Sequence, residues 1–224
     1  MRRDAGYDLV IIGGGLAGLS LGERLAAQTS PPNTLVIEPR EHYSGDRTWS
    51  FWAPNNHRLS HLVRKQWTKT SYGCLNDPTE LLHHQETPYQ TIASNDFYRW
   101  STKRIKQHSR VELSLGESLI DFDIIDGQYL LKTSKRTVYS THVVDTRPPS
   151  DGTFDKSQMY QCFIGHHIVL EQALDETTAE LMTDMHCDEH GFIFTYVLPL
   201  STHEAIIEVT RFSTLQTPWA ILQD

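Results

Sequence analysis

Six residues near the start, Gly13-Gly14-Gly15-Leu16-Ala17-Gly18, fit the pattern G-x-G-x-x-G, whose spacing suits a backbone that must touch a pyrophosphate. Gly13 permits a sharp turn, Gly15 lets the chain approach the phosphates, and Gly18 lets a helix pack on a strand; Gly14 and Ala17 belong to the same cradle. Ahead of them Tyr7-Asp8-Leu9-Val10-Ile11-Ile12 ends in a β-branched apolar run, and behind them Leu19, Leu21 and Leu25 recur at helical spacing. Unpaired N–H groups and the positive end of that helix dipole then face an anion. A second apolar run, Thr34-Leu35-Val36-Ile37, ends in Glu38, about twenty residues after the last glycine, the place of a ribose-binding acid. A carboxylate there suits a free 2′-hydroxyl and repels a 2′-phosphate, so FAD or NAD is expected over NADP.

The elements that must hold this chemistry can be placed from the pattern. Residues 1–40 read as a β-α-β unit with Pro31-Pro32-Asn33 as the helix-to-strand turn. Residues 41–57 read as a loop, yet Arg47, Trp49, Phe51 and Trp52 fall within six positions, either capping a core or walling a flavin or substrate cavity. An amphipathic helix is predicted over 94–108, capped by Ser94-Asn95-Asp96. Val111–Leu115, Leu119–Ile125, Tyr129–Thr133 and Val138–Ser140 read as a β-meander with Asp126-Gly127 as one of its turns, and Val143-Val144-Asp145 returns as a short strand. Pro148-Pro149-Ser150-Asp151-Gly152 is the best boundary. Beyond it Cys162–Leu170, Phe192–Leu198 and Ala205–Phe212 are strand-like, while Thr177–Met185 fits helix or strand equally. The pattern predicts an α/β chain: a Rossmann-like dinucleotide-binding domain over 1–150 and a second, largely antiparallel β domain for substrate over 151–224.

Composition excludes several classes. Twenty Lys and Arg against 28 Asp and Glu give a net charge of −8, which repels phosphate backbones, so no nucleic-acid partner is expected. Three scattered cysteines, Cys74, Cys162 and Cys187, read as free thiols in a reducing compartment. No segment reaches the roughly eighteen apolar residues of a membrane span, and no signal peptide is seen, which predicts a cytoplasmic protein with peripheral membrane contact still open. His186-Cys187-Asp188-Glu189-His190 offers metal-ligating side chains, but no second cluster completes a ligand set and a polar connecting turn explains the same residues; no metal is expected. The serines lack any G-x-S-x-G context, so a hydrolase triad has no support.

Five segments, in order, resemble lycopene β-cyclases of the bacterial type: Asp46-Arg47-Thr48-Trp49-Ser50-Phe51-Trp52, Val144-Asp145-Thr146-Arg147-Pro148, Gln161-Cys162-Phe163-Ile164-Gly165, Phe194-Thr195-Tyr196-Val197-Leu198-Pro199-Leu200-Ser201 and Ile207-Glu208-Val209-Thr210-Arg211-Phe212. The likeness runs from about residue 7 to residue 213. It implies the aromatic hydroxylase-like flavoprotein fold, with FAD held by Gly13, Gly14, Gly15, Ala17, Gly18, Glu38 and Arg47. The implied activity is conversion of the linear ends of lycopene into β-ionone rings, towards γ- and β-carotene, without net redox. The resemblance also implies a flavin that works reduced, with NADPH or NADH as reductant, and an enzyme peripheral on the cytoplasmic membrane.

The family's catalytic acid falls on Glu208, and Val209 stands where a second acid is usual. By residue type alone Glu208 reads as a solvated strand residue. With Ala205–Phe212 as a strand, Ile206, Glu208 and Thr210 share one face, and burial there raises the carboxyl pKa and keeps it protonated, as a general acid requires. Trp49, Phe51, Trp52 and Tyr196 are the rings expected around a carbocation.

Two other readings stand beside this one. An FAD-dependent aromatic hydroxylase shares the fingerprint, but the Asp-Gly pair typical of those enzymes is Asp145-Thr146 here. A truncated flavin-binding remnant is the other, since family members continue past Thr217-Pro218-Trp219-Ala220-Ile221-Leu222-Gln223-Asp224. On that reading the substrate domain is incomplete at its C-terminus, and the 224-residue chain alone is expected to bind FAD poorly and to be inactive.

Overall fold

The computed structural model describes residues 5–77, 79–148 and 159–214. From 149 onward the expected boundary lies outside them, as does the terminal segment 217–224. In chain order the elements begin with β1 (Ala5–Ile12), α1 (Leu16–Ala26), β2 (Thr34–Glu38) and β3 (Thr48–Trp52). A single 3-10 turn (Ser60–Leu62) precedes β4 (Val63–Trp67), β5 (Lys69–Tyr72), β6 (Glu80–His83), β7 (Tyr89–Ala93) and α2 (Ser94–Ile105). Then come β8 (Val111–Leu115), β9 (Leu119–Ile125), β10 (Gln128–Thr133) and β11 (Thr137–Asp145). The last four are β12 (Tyr160–Val169), β13 (Thr178–Asp188), β14 (Gly191–Ser201) and β15 (Glu204–Ser213).

The described chain divides into two units, the first joining the residues up to Arg47 with 94–148 and the second joining Thr48–Ala93 with 159–214. This corrects the single cut expected near 150. Residues 48–93 belong to the second unit because β5 pairs in parallel with β13, and Trp67 donates its indole N–H to the carbonyl of Pro199 at 3.2 Å.

The first unit is one sheet in the order β8-β2-β1-β11-β10-β9. Its β8, β2, β1 and β11 run parallel, and β11, β10 and β9 are antiparallel. Every residue of β2 is buried, as a strand covered on both faces requires. Tyr7, Val10, Ile12, Leu35, Ile37, Leu131 and Val138 form the core. On α2 the buried Phe97, Tyr98, Ser101 and Ile105 make one helical face. The meander differs from expectation at both ends. Val111–Leu115 is an edge strand beside β2 instead of its first strand, and the segments 138–140 and 143–145 are one continuous strand. Its Asp126-Gly127 turn has both residues at positive φ, 50° and 78°, the two-residue hairpin geometry that matches strand twist.

The second unit holds a sheet in the order β12-β15-β14-β13-β5-β6 and a three-stranded sheet, β3-β7-β4. The loop expected over 41–57 contains β3, whose residues pair with β7 from Thr48↔Ala93 to Trp52↔Tyr89. Trp67, Tyr89, Ala179, Leu181 and Leu198 are its core. The ambiguous Thr177–Met185 is strand: its register slips twice, with Met182 and Asp184 at positive φ, which disguises the alternation.

Candidate functional site

The glycine turn follows from what surrounds it. Gly13 has φ +99° and donates its N–H to the carbonyl of Ile37 at 2.9 Å, pinning the turn to the end of β2. A Cβ on Gly18 would stand 1.9 Å from the carbonyl oxygen of Gly13, so only glycine lets α1 start this close to β1. A Cβ on Gly15 would meet nothing within 4 Å, and Gly15 caps α1 with no side-chain hydrogen bond. That open approach to an uncapped helix start fits a diphosphate. Ala17 is exposed in the same first turn.

Glu38 is buried at the end of β2, its Oε2 accepting the Gly14 N–H at 2.7 Å and its Oε1 accepting the Arg40 backbone N–H and Nε–H at 3.0 and 2.8 Å. Burial works against its charge, but the Arg40 and Gly14 hydrogen bonds prevail and hold the carboxyl below its ordinary range. Those three bonds fix the carboxylate, and with roughly four acceptor positions it still has room for a ribose hydroxyl. Arg40 lies over Tyr43 and Tyr98, 4.9 and 5.4 Å from the ring centroids, and those rings stack at 4.3 Å. The Tyr43 hydroxyl donates to the carbonyl of Gly14 at 2.8 Å. Sequence reasoning missed Arg40, Tyr43 and Tyr98; only the position of Arg40, two after the acid, hinted at its role.

Arg47 sits differently. Its side chain is exposed beside Asp46 at 3.7 Å and its backbone N–H donates to Ser94 Oγ at 3.0 Å, so its contacts are with those residues and not with the glycines. Thr146 donates its hydroxyl to the carbonyls of Ile12 and Gly13 at 2.9 and 3.1 Å, filling the space beside Gly13 where an Asp-Gly pair would leave a gap.

The second unit carries a cavity of about 190 Å³ lined by Thr48 and Ser50 of β3, Tyr89 of β7, Tyr196 and Leu198 of β14, and Ile206 and Glu208 of β15. Glu208 lies opposite Tyr196 on one side and Gly165 on the other. Burial raises its pKa, opposed by the Thr210 hydroxyl, which donates to Glu208 Oε1 at 3.0 Å. Tyr89 is pushed up to about 12 by burial, countered by a hydrogen bond with Ser50, and burial with the nearby Glu208 raises Tyr196 as well. The site is therefore a poorly solvated carboxyl between two neutral phenols.

The expected ring wall is corrected here. Trp49 and Phe51 alternate with Thr48 and Ser50 and so occupy the other face of β3. Trp52 shares the face of Thr48 and Ser50 but is half exposed beside its cross-strand partner Tyr89, centroids 4.6 Å apart, and is not among the residues that line the cavity. Tyr196 lines the cavity as expected, and Tyr89 takes the place foreseen for the tryptophans. Val209, the second-acid position, faces away from Glu208 by the same alternation. Asp188, from the polar cluster at 186–190, is held by a bidentate pair with the buried Arg211.

Comparison with known proteins adds to this geometry. The family model described as lycopene cyclase protein matches residues 8–222. A lycopene β-cyclase of Pseudescherichia vulneris is 28% identical, with 93% of this chain and 52% of that enzyme covered. The chain spans about half the length of the curated relatives it matches. Among solved structures, p-nitrophenol 4-monooxygenase of Pseudomonas putida has a TM-score of 0.69 at 13% identity, covering 98% of this chain and 61% of that one. A halogenase variant in complex with FAD has a TM-score of 0.60 at 13% identity, covering 92% and 51%. The fold is thus that of FAD-dependent monooxygenases and halogenases.

Proposed function

Since the chain belongs to the lycopene cyclase protein family, we propose that it serves a lycopene β-cyclase that forms β-ionone rings by acid-initiated, non-redox cyclisation, with Glu208 as the acid. The observation that carries this reading is the half-buried Glu208 carboxyl, its pKa raised by burial, lining a cavity with Tyr89 and Tyr196.

Glu208 gives its proton to the terminal double bond of the polyene, leaving a tertiary cation. The neighbouring double bond attacks to close the ring, and loss of one ring proton forms the ring double bond. One proton enters and one leaves, so the product is an isomer. Tyr89 and Tyr196 line the same cavity and bring aromatic rings beside the cation.

FAD is the proposed cofactor, held by the Gly13–Gly18 turn, Glu38 and Arg40, because the cradle has the open glycine and the fixed ribose acid that FAD needs. When bound and reduced by NADPH or NADH, it would supply negative charge that favours a cation. Expression of the full-length form that contains these residues, in a lycopene-accumulating host, tests the reading by pigment chromatography. Conversion to γ- and β-carotene is expected; unchanged lycopene overturns it. Nicotinamide oxidised in step with product would point to a hydroxylase instead.

Peripheral contact with the cytoplasmic membrane is part of the proposal, since the substrate is an apolar polyene. No described helix is long and apolar enough to cross a membrane. On the edge strand β9, Ile120, Phe122 and Ile124 share one face at 60, 56 and 59% exposure. An apolar row of this kind suits the acyl boundary. Phe122→Asp is expected to weaken binding to phosphatidylcholine vesicles about thirtyfold, given about 2 kcal/mol for burying such a ring; equal co-flotation of variant and wild type removes the β9 contact.

A further inference from the structure

We infer that Thr210 is a positioning residue for the acid: its hydroxyl holds Oε1 of Glu208, which places the transferable proton on Oε2. The inference rests on the reading of Glu208 as the acid. Thr210 is fully buried, and its Oγ1 donates to Glu208 Oε1 at 3.0 Å from two residues along the same face of β15. Both residues are fixed by ladders on either side, Thr210 against Phe163 and Phe194, and Glu208 against Gly165 and Tyr196. The β-branched Thr210 is stiff at χ1, so the position of its hydroxyl oxygen is set before substrate arrives. A carboxylic acid has one O–H and one proton-free oxygen, and an oxygen that accepts from Thr210 is the proton-free one. That leaves the proton on Oε2, which lies towards Gly165, where a Cβ would stand 3.5 Å away.

Among the described residues no other titratable group is hydrogen-bonded to Oε1. Tyr196 of β14 and Tyr89 of β7 face Glu208 across the cavity, with Tyr72 of β5 beside both tyrosines. From β12 the opposing residue is Gly165, and His167, further along the same face, pairs with Glu204 at 2.7 Å. The β3 side offers Thr48 and Ser50, which do not titrate in this range.

Thr210→Val removes the donor at nearly constant shape, and Thr210→Ser keeps it. In the FAD-loaded enzyme, Thr210→Val is expected to lower kcat about tenfold, the worth of one hydrogen bond, with KM unchanged. Because the Thr210 hydroxyl favours the carboxylate, its loss moves the basic limb of the pH profile upward. Thr210→Ser recovers most of both. An infrared readout needs no turnover: the carboxylic C=O band of Glu208, identified by its absence in Glu208→Gln, moves to higher frequency in Thr210→Val. A wild-type band and profile in Thr210→Val, or equal losses in Val and Ser variants, overturn the inference. Full activity in Glu208→Gln removes the acid reading itself, whereas an inactive Glu208→Gln beside an unchanged Thr210→Val removes only the positioning role.

Discussion

On the proposed reading, Glu208→Gln in the full-length form is expected to lower turnover of lycopene by about 10²–10⁴-fold, the usual worth of a positioned general acid. Gln fills the same space and can still accept from Thr210 at the position Oε1 now holds, but it has no acidic proton. The stability prediction has the opposite sign. Burial raises the Glu208 pKa, so the folded chain holds this proton more tightly than the unfolded chain does. As pH rises from the ordinary carboxylate range through that raised pKa, Glu208 costs the fold an increasing amount, and Gln carries no such cost. The variant is therefore expected to melt no lower than wild type at neutral pH while losing its chemistry. Pigment chromatography and a thermal melt check the two halves. A drop in Tm that matches the loss of product would assign Glu208 to structure; cyclisation at the wild-type rate would sink its role as acid.

The second large effect separates two glycines three residues apart. Gly18→Ala sets a Cβ against the carbonyl oxygen of Gly13, a backbone atom that no rotamer change can move aside. Helix α1 must then lift from the end of β1, at a cost in the range of about 1–3 kcal/mol or more for overpacking, visible as a Tm several degrees lower without added cofactor. FAD binding is expected to fall at least tenfold with it. Gly15→Ala meets open space, so its Tm stays at the wild-type value while FAD binding weakens, because the methyl stands where the diphosphate approaches. Isothermal titration with FAD beside the melts decides the matter. Equal Tm values for Gly18→Ala and wild type would remove the packing argument, and unchanged FAD affinity in Gly15→Ala would remove the diphosphate from this turn.

The parts of the structure legible in the sequence are those set by close neighbours in the chain. The glycine turn and the carboxylate ending β2 are read from spacing, because each glycine answers a backbone demand within a few residues. The Asp126-Gly127 hairpin is equally local, since positive φ at two consecutive positions selects those residues. Strand alternation puts Ile206, Glu208 and Thr210 on one face, which gives the neighbourhood of the acid. What escaped depends on distant pairing. Nothing in Val111–Leu115 states that its partner is β2 and not β9, and nothing in Lys69–Tyr72 points to Thr178. The aromatic load at 49–52 was visible, but which face of β3 meets the cavity is decided by the strands around it. Arg40, Tyr43 and Tyr98 come together from both sides of the inserted residues 48–93.

That insertion also sets an order of events as the chain is made. Synthesis delivers Trp67 and β5 long before their distant partners: Trp67 waits for the carbonyl of Pro199, 132 positions later, and β5 for β13. The first sheet is likewise open until β11 arrives to close against β1. Neither unit can finish on the ribosome before the other has been interrupted, so loop-closure entropy falls on both and apolar strand edges stay exposed meanwhile. Pairings so distant in the chain slow folding, and slower elongation through 94–148 would prolong the interval in which strands from neighbouring nascent chains can pair wrongly.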